Sequence, residues 1–153
     1  MLSRAQAVEV ARSFLGTPYQ LRGRIKGAGL DCGTLLAEYL IEIGRFRLEE
    51  LIDLGFYSND WFHHTTKERY LAQLMRAGAL VAETICRGGQ RPESGNLALF
   101  KAIGSKRFNH GAIITAWPMG IAALQKGVLE VDLTSHWLTA QRPMDIFNPW
   151  GAN

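Results

Sequence analysis

The chain is short of several things. It has only two cysteines, Cys32 and Cys86, in 153 residues. Two cysteines make no disulfide framework, and neither stands in the paired Cys or Cys/His spacing of a zinc site. No apolar run approaches the length that crosses a membrane. The N-terminal residues Met1-Leu2-Ser3-Arg4-Ala5-Gln6 lack the basic-then-apolar order of a secretion signal. The expectation is therefore a protein made in the cytoplasm, without a membrane partner and exported, if at all, by some other route. Charge is modest too: a net +3, with no run of Lys and Arg interleaved with aromatics. Nucleic acid is not expected as a partner. Low-complexity stretches, internal repeats and linkers are absent.

What is present is an ordinary globular composition, 47% hydrophobic and 20% charged, in a chain long enough to bury one core. The expected organisation is a single domain over residues 1–153. Residues 3–15 read as a helix: Ser3 and Gln6 have capping-box spacing, and Ala7, Val8, Ala11, Phe14 and Leu15 make one apolar face. Pro18 in Gly16-Thr17-Pro18-Tyr19 ends it. Residues 20–29 read as a glycine-rich loop carrying Arg22, Arg24 and Lys26.

A second helix is predicted from about residue 31 to 43, where Cys32, Leu35, Leu36, Tyr39, Leu40 and Ile43 share a stripe and Gly44 is a stop. Residues 45–64 form an aromatic-rich insertion with Phe56, Tyr57, Trp61, Phe62, His63 and His64. A third helix follows, capped by Thr65 and Glu68. After Gly78 the pattern changes to short apolar runs at 79–84, 96–101, 110–116, 121–124, 128–133 and 144–147. These read as strands of one antiparallel sheet, so the fold class is α+β, with N-terminal helices packed on a C-terminal sheet.

Cys32 stands at the start of the second helix in Asp31-Cys32-Gly33. Free N–H groups and the dipole of a helix start favour a thiolate, and the same N–H groups suit an oxyanion. Gly33 leaves the approach uncrowded. The position equally suits a small buried residue. His110 opens the alternating segment His110-Gly111-Ala112-Ile113-Ile114-Thr115. His110, Ala112 and Ile114 share a face, and small Ala112 is expected to let the nucleophile helix come close. A Cys at a helix start and a His on a later strand are the pair that thiol nucleophiles use. Neighbouring His63 and His64 point different ways and lack a third metal ligand. His136 with Trp137 reads as a packing corner, and Cys86 as a residue without a chemical role.

Four segments in order resemble the NlpC family of papain-like cysteine peptidases, bacterial and phage enzymes that cut cell-wall peptides. Gly16-Thr17-Pro18-Tyr19 resembles the family's turn before the nucleophile. Gly29-Leu30-Asp31-Cys32-Gly33 resembles its nucleophile motif. Residues 92–100, from Pro92 to Phe100, resemble its following strand, and Asn109-His110-Gly111-Ala112-Ile113 its histidine strand.

The resemblance implies a papain-like fold and an endopeptidase acting on peptidoglycan stem peptides between D-glutamate and a diamino acid, without metal or organic cofactor. Cys32 would be the nucleophile and His110 the general base. Tyr19 would support the oxyanion, and Asp31 would fix the helix start. The basic loop at Arg22 to Lys26 would meet substrate carboxylates or stay solvated. The compact chain and the insertion resemble the phage-tail or prophage branch most, which implies tail or baseplate proteins as partners and delivery to the cell wall in a tail-like particle.

One position departs from the family. Its third polar residue, often His, falls on Ala122 in Gly120-Ile121-Ala122-Ala123-Leu124-Gln125, and alanine cannot orient an imidazole. Gln125 substitutes, or a backbone carbonyl or water holds His110, or the replacement weakens catalysis. Two other functions stay open: a catalytically weakened tail-tip or baseplate protein that binds cell wall, and a thiol amidase or acyltransferase on the same fold.

Overall fold

The computed structural model describes residues 2–45, 47, 81–83 and 92–151. The aromatic insertion, the third helix, His63, His64 and Cys86 lie outside the described residues.

Helix α1 (Arg4–Ser13) starts at the expected cap. Ser3 Oγ accepts from Gln6 N, and Gln6 Oε1 accepts from Ser3 N at 2.9 Å. Its Ala7, Val8 and Ala11 are buried. Helix α2 (Cys32–Glu42) begins at Asp31, and the predicted stripe of Leu35, Leu36, Tyr39, Leu40 and Ile43 is buried. Between the helices, where the sequence reads as loop, β1 (Arg24–Ile25) and β2 (Gly29–Leu30) pair as a small antiparallel hairpin. Two-residue strands leave no alternation to read.

Each of the six apolar runs overlaps a strand, the first over its described residues: β3 (Val81–Glu83), β4 (Leu97–Lys101), β5 (Phe108–Ala116), β6 (Met119–Leu124), β7 (Gly127–Asp132) and β8 (Met144–Asn148). They form one antiparallel sheet in the order β3-β8-β4-β5-β6-β7. The α+β class and the helices-then-sheet order are as expected.

The sheet is buried on both faces. On one face, Leu97, Leu99, Ile113, Ile121, Ala123 and Phe147 join the helical stripes in a single cluster. On the other, Ala98, Phe100, Ala112, Ile114, Ala122, Leu124 and Ile146 pack with Leu133, under Trp117, Leu138 and Met144. This corrects one expectation. Ile113, not Ala112, meets the helices. Because both parities of β5 are apolar, alternation alone could not tell which face the helices cover.

Two ties hold the helices in place. Tyr39 Oη donates to the carbonyl of Gly95 at 2.9 Å, fixing α2 to the start of β4. Gly95 has φ of 86°, and a Cβ there would meet the Trp150 ring at 2.6 Å, so only glycine fits. Arg4 on α1 donates to Ser94 O, Asn96 Oδ1 and Asn148 Oδ1 and stacks on Trp150.

Candidate active site

The turn before α2 is bolted to the far edge of the sheet. Gly16 N donates to Val128 O at 3.0 Å, and Val128 N returns to Thr17 O at 2.8 Å. Gly127 sits against Thr17 with φ of 115°. Leu30 N then donates to Pro18 O, and Gln20 N to Leu30 O, so Tyr19 runs parallel to Leu30. Two residues beyond Leu30 is Cys32. The fold thereby sets Tyr19 beside the thiol. Burial pushes the Tyr19 hydroxyl well above the usual phenol range, and Cys32 and Asp31 nearby push it further. It is a protonated donor at neutral pH.

Asp31 is buried and uses both carboxylate oxygens. Oδ1 accepts from Gly33 N at 2.9 Å and Thr34 N at 2.8 Å, and Oδ2 accepts from Arg22 N at 2.8 Å. Thr34 Oγ1 closes the box by accepting from Asp31 N. The cap thus occupies two of the helix-start amides expected to serve an oxyanion.

Cys32 is half-buried, and its Sγ donates to the carbonyl of Asn109 at 3.6 Å. Asn109 lies at a bulge in β5: Phe100 pairs with His110, whereas Lys101 pairs with Phe108. The residue that follows it is His110. The contact from α2 to this strand therefore goes to the backbone one residue before the imidazole. The imidazole itself lies 5.9 Å from the Phe100 ring, on the face of β5 that carries Ala112. It is buried, and its Nε2 has no hydrogen-bond partner among the described residues. Burial pulls its pKa down to about 3, helped by the positive charge of Arg142 and by the neighbouring His136 ring. At neutral pH the ring is neutral.

Ala122 is fully buried on the same face as His110. Gln125 is exposed in the turn after β6, and it does not reach Nε2. Neither residue orients the imidazole. The basic loop is engaged elsewhere: Arg24 Nε donates to Glu38 Oε1 at 2.7 Å, and Lys26 Nζ donates to Glu42 Oε2 at 2.8 Å. His136 Nδ1 accepts from Leu138 N, while Trp137 is 79% exposed, so that corner does not pack as expected.

Two residues without a role of their own in the sequence reading adjoin this region. One is Asn109, through its backbone. The other is Arg142, whose Nη2 donates to Asn109 Oδ1, Nε to Lys101 O at 2.8 Å and Nη1 to Leu138 O at 2.9 Å. A lone Arg in a segment without periodicity gives no sequence signal. Among the described residues, no group of three or more His, Cys, Asp or Glu could hold a metal ion.

Solved structures share this architecture. The NlpC/p60 domain of the peptidoglycan hydrolase SagA superposes with a TM-score of 0.57 at 16% identity, covering 95% of this chain and 98% of that one. The chain has the NlpC/p60 fold. NlpC1 from Trichomonas vaginalis gives a TM-score of 0.61 at 13% identity over 98% of this chain and 45% of its own. NlpC2 from the same organism gives 0.60 at 13% over 96% and 46%. At these identities the likeness is one of fold. No protein-family model and no curated protein matches the chain. Within this fold, the Cys32 thiol at the start of α2 meets the β5 backbone at Asn109, the residue before His110.

Proposed function

We propose that the protein is a cell-wall hydrolase, a cysteine peptidase that cuts peptidoglycan stem peptides between D-glutamate and a diamino acid. The observation that carries this reading is the Cys32 thiol at the start of α2, against the β5 backbone beside His110, in an NlpC/p60 fold. Sγ attacks the peptide carbonyl carbon. The thiol proton passes through water to His110, whose imidazole lies on the Ala112 face of β5, and comes back the same way to the departing amine nitrogen as the C–N bond breaks; water then hydrolyses the acyl-enzyme. The Cys32 amide and the Tyr19 hydroxyl are the donors for the oxyanion. The reaction is slow, because a buried imidazole without a partner on Nε2 is a weak and poorly oriented base.

The same orphaned Nε2 favours a second reading, a wall-binding component of a phage tail or tail-like particle that keeps the fold with little catalysis. Incubation with purified peptidoglycan, followed by mass spectrometry of the released fragments, separates the two. New D-glutamyl carboxyl and diamino-acid amine ends, lost in Cys32→Ser, support the peptidase. Retention on the wall with no new ends supports the binding protein. Ends at another bond would point to an amidase or acyltransferase.

A further inference from the structure

Beside the thiol and the imidazole stands a third polar group. Arg142 lies in the segment between β7 and β8, and its guanidinium is directed by three hydrogen bonds: to the carbonyls of Lys101 and Leu138, and to the side chain of Asn109. The carbonyl of that same Asn109 receives the Cys32 thiol. Asn109 therefore stands between cation and sulfur, touched by both. All three partners of the guanidinium are neutral oxygens, and no ion pair with a carboxylate engages it among the described residues. Its full charge remains available to the neighbourhood.

We propose that Arg142 is the counter-cation of the Cys32 thiolate, taking the electrostatic part that an imidazolium plays in a thiolate–imidazolium pair. The electrostatics agree in both directions. Burial pulls the Arg142 guanidinium down, and the neighbouring Cys32 pushes it back up; by reciprocity the guanidinium favours the thiolate. Arg142 also opposes protonation of His110. One fixed cation thus makes the anion on sulfur easier and the cation on imidazole harder. Around the thiol, Asp31 at the helix start and Tyr19 in the preceding turn are the other titratable groups, His110 is the one on β5, and His136 lies beyond it near the imidazole. Asp31 acts against the thiolate and Tyr19 and His110 are neutral at neutral pH, so the charge of Arg142 works on the sulfur in the sense opposite to Asp31. Where the thiol ionises before substrate binds, its proton goes to bulk water and the departing amine later draws one from water through His110; the charge left on sulfur is what the guanidinium stabilises.

This inference rests on Cys32 being the nucleophile, but its test reads ionisation of the thiol and stands apart from whether any peptide is cleaved. The rate of iodoacetamide alkylation of Cys32 is measured from about pH 5 to 10 in the wild type, Arg142→Gln and Arg142→Lys. Gln keeps a donor for the carbonyls and removes the charge. Lys keeps the charge and loses the fork. Arg142→Gln is expected to raise the thiol pKa by about one unit and to slow alkylation at neutral pH roughly three- to tenfold, the higher nucleophilicity of a more basic thiolate offsetting part of the loss. Arg142→Lys is expected to keep the wild-type profile within a few tenths of a unit. A wild-type profile in Arg142→Gln overturns the proposal. So does an equal rise in both variants, which would make Arg142 a structural strut. If Arg142→Gln does not fold, Arg142→Lys decides alone, because a rise of a full unit with the charge retained overturns it.

Discussion

His110 and Ala122 share one buried face of the sheet, and the imidazole Nε2 on that face meets no hydrogen-bond partner among the described residues. A buried polar atom without a partner costs about 1–3 kcal/mol, and in a hydrolase it also leaves the base free to turn away from its task. A side chain at 122 that accepts a hydrogen bond is placed to answer both. Ala122→His is expected to raise the rate of stem-peptide cleavage by tenfold or more. Because residue 122 is fully buried among Ala98, Ala112 and Leu124, the larger ring is also expected to cost about 1–3 kcal/mol of stability. Cleavage assays with urea denaturation read both. A destabilised variant with no gain in rate would show that residue 122 is not the third position.

The neutrality of His110 has its own signature. Its pKa in the folded chain is about 3, below the ordinary 6.5 that it regains on unfolding. Between these values the unfolded chain binds a proton that the native one does not, so stability rises with pH across the window. Acidification from about 6.5 towards 3 should therefore destabilise the protein, and less so in His110→Phe, which has nothing to titrate. Denaturation at pH 7.5 and pH 4.5 in both proteins checks this. In NMR, the His110 ring should not titrate between pH 5 and 8; a midpoint near 6.5 would refute the buried neutral state.

How much of this was legible beforehand differs by element. The Ser3–Gln6 box, the stripe from Leu35 to Ile43 and the six apolar runs were visible because helix and strand periods are local properties. The face of β5 that meets the helices was not, since Ala112, Ile113 and Ile114 are all apolar. Arg24 and Lys26 read as free to meet substrate, but their partners Glu38 and Glu42 lie a helix away in sequence. Cys32, His110, Tyr19 and Asp31 were singled out by motif order. Asn109 acts through its carbonyl, which every residue type has, and Arg142 arrives through tertiary contacts, so neither leaves a pattern.

Tyr19 separates support of the oxyanion from support of the thiol. Its hydroxyl stays protonated well beyond neutral pH and can donate to a developing oxyanion. Tyr19→Phe keeps the ring that packs on the core and removes only the donor. Cleavage is expected to fall about 10- to 1000-fold with little change in KM. Alkylation of Cys32 should stay within about twofold. If alkylation falls as far as cleavage does, the hydroxyl serves the sulfur and not the oxyanion.

Asp31 couples stability and reactivity with opposite signs. Its carboxylate holds the amides of Gly33, Thr34 and Arg22, the last in a left-handed conformation with φ of 63°. Asp31→Ala strands these donors and should cost about 2–4 kcal/mol, an N-cap loss plus a further buried bond. Asp31→Asn keeps one carbonyl oxygen, and should retain the Gly33 and Thr34 bonds at a cost of about 1 kcal/mol. Both changes remove a negative charge beside the thiol, which favours the thiolate. Asp31→Asn is therefore expected to lose stability in thermal denaturation while alkylating faster than wild type at neutral pH. Slower alkylation would mean that the carboxylate acts on Cys32 by placing the helix start, with its charge too well bonded to the three amides to be felt at the sulfur.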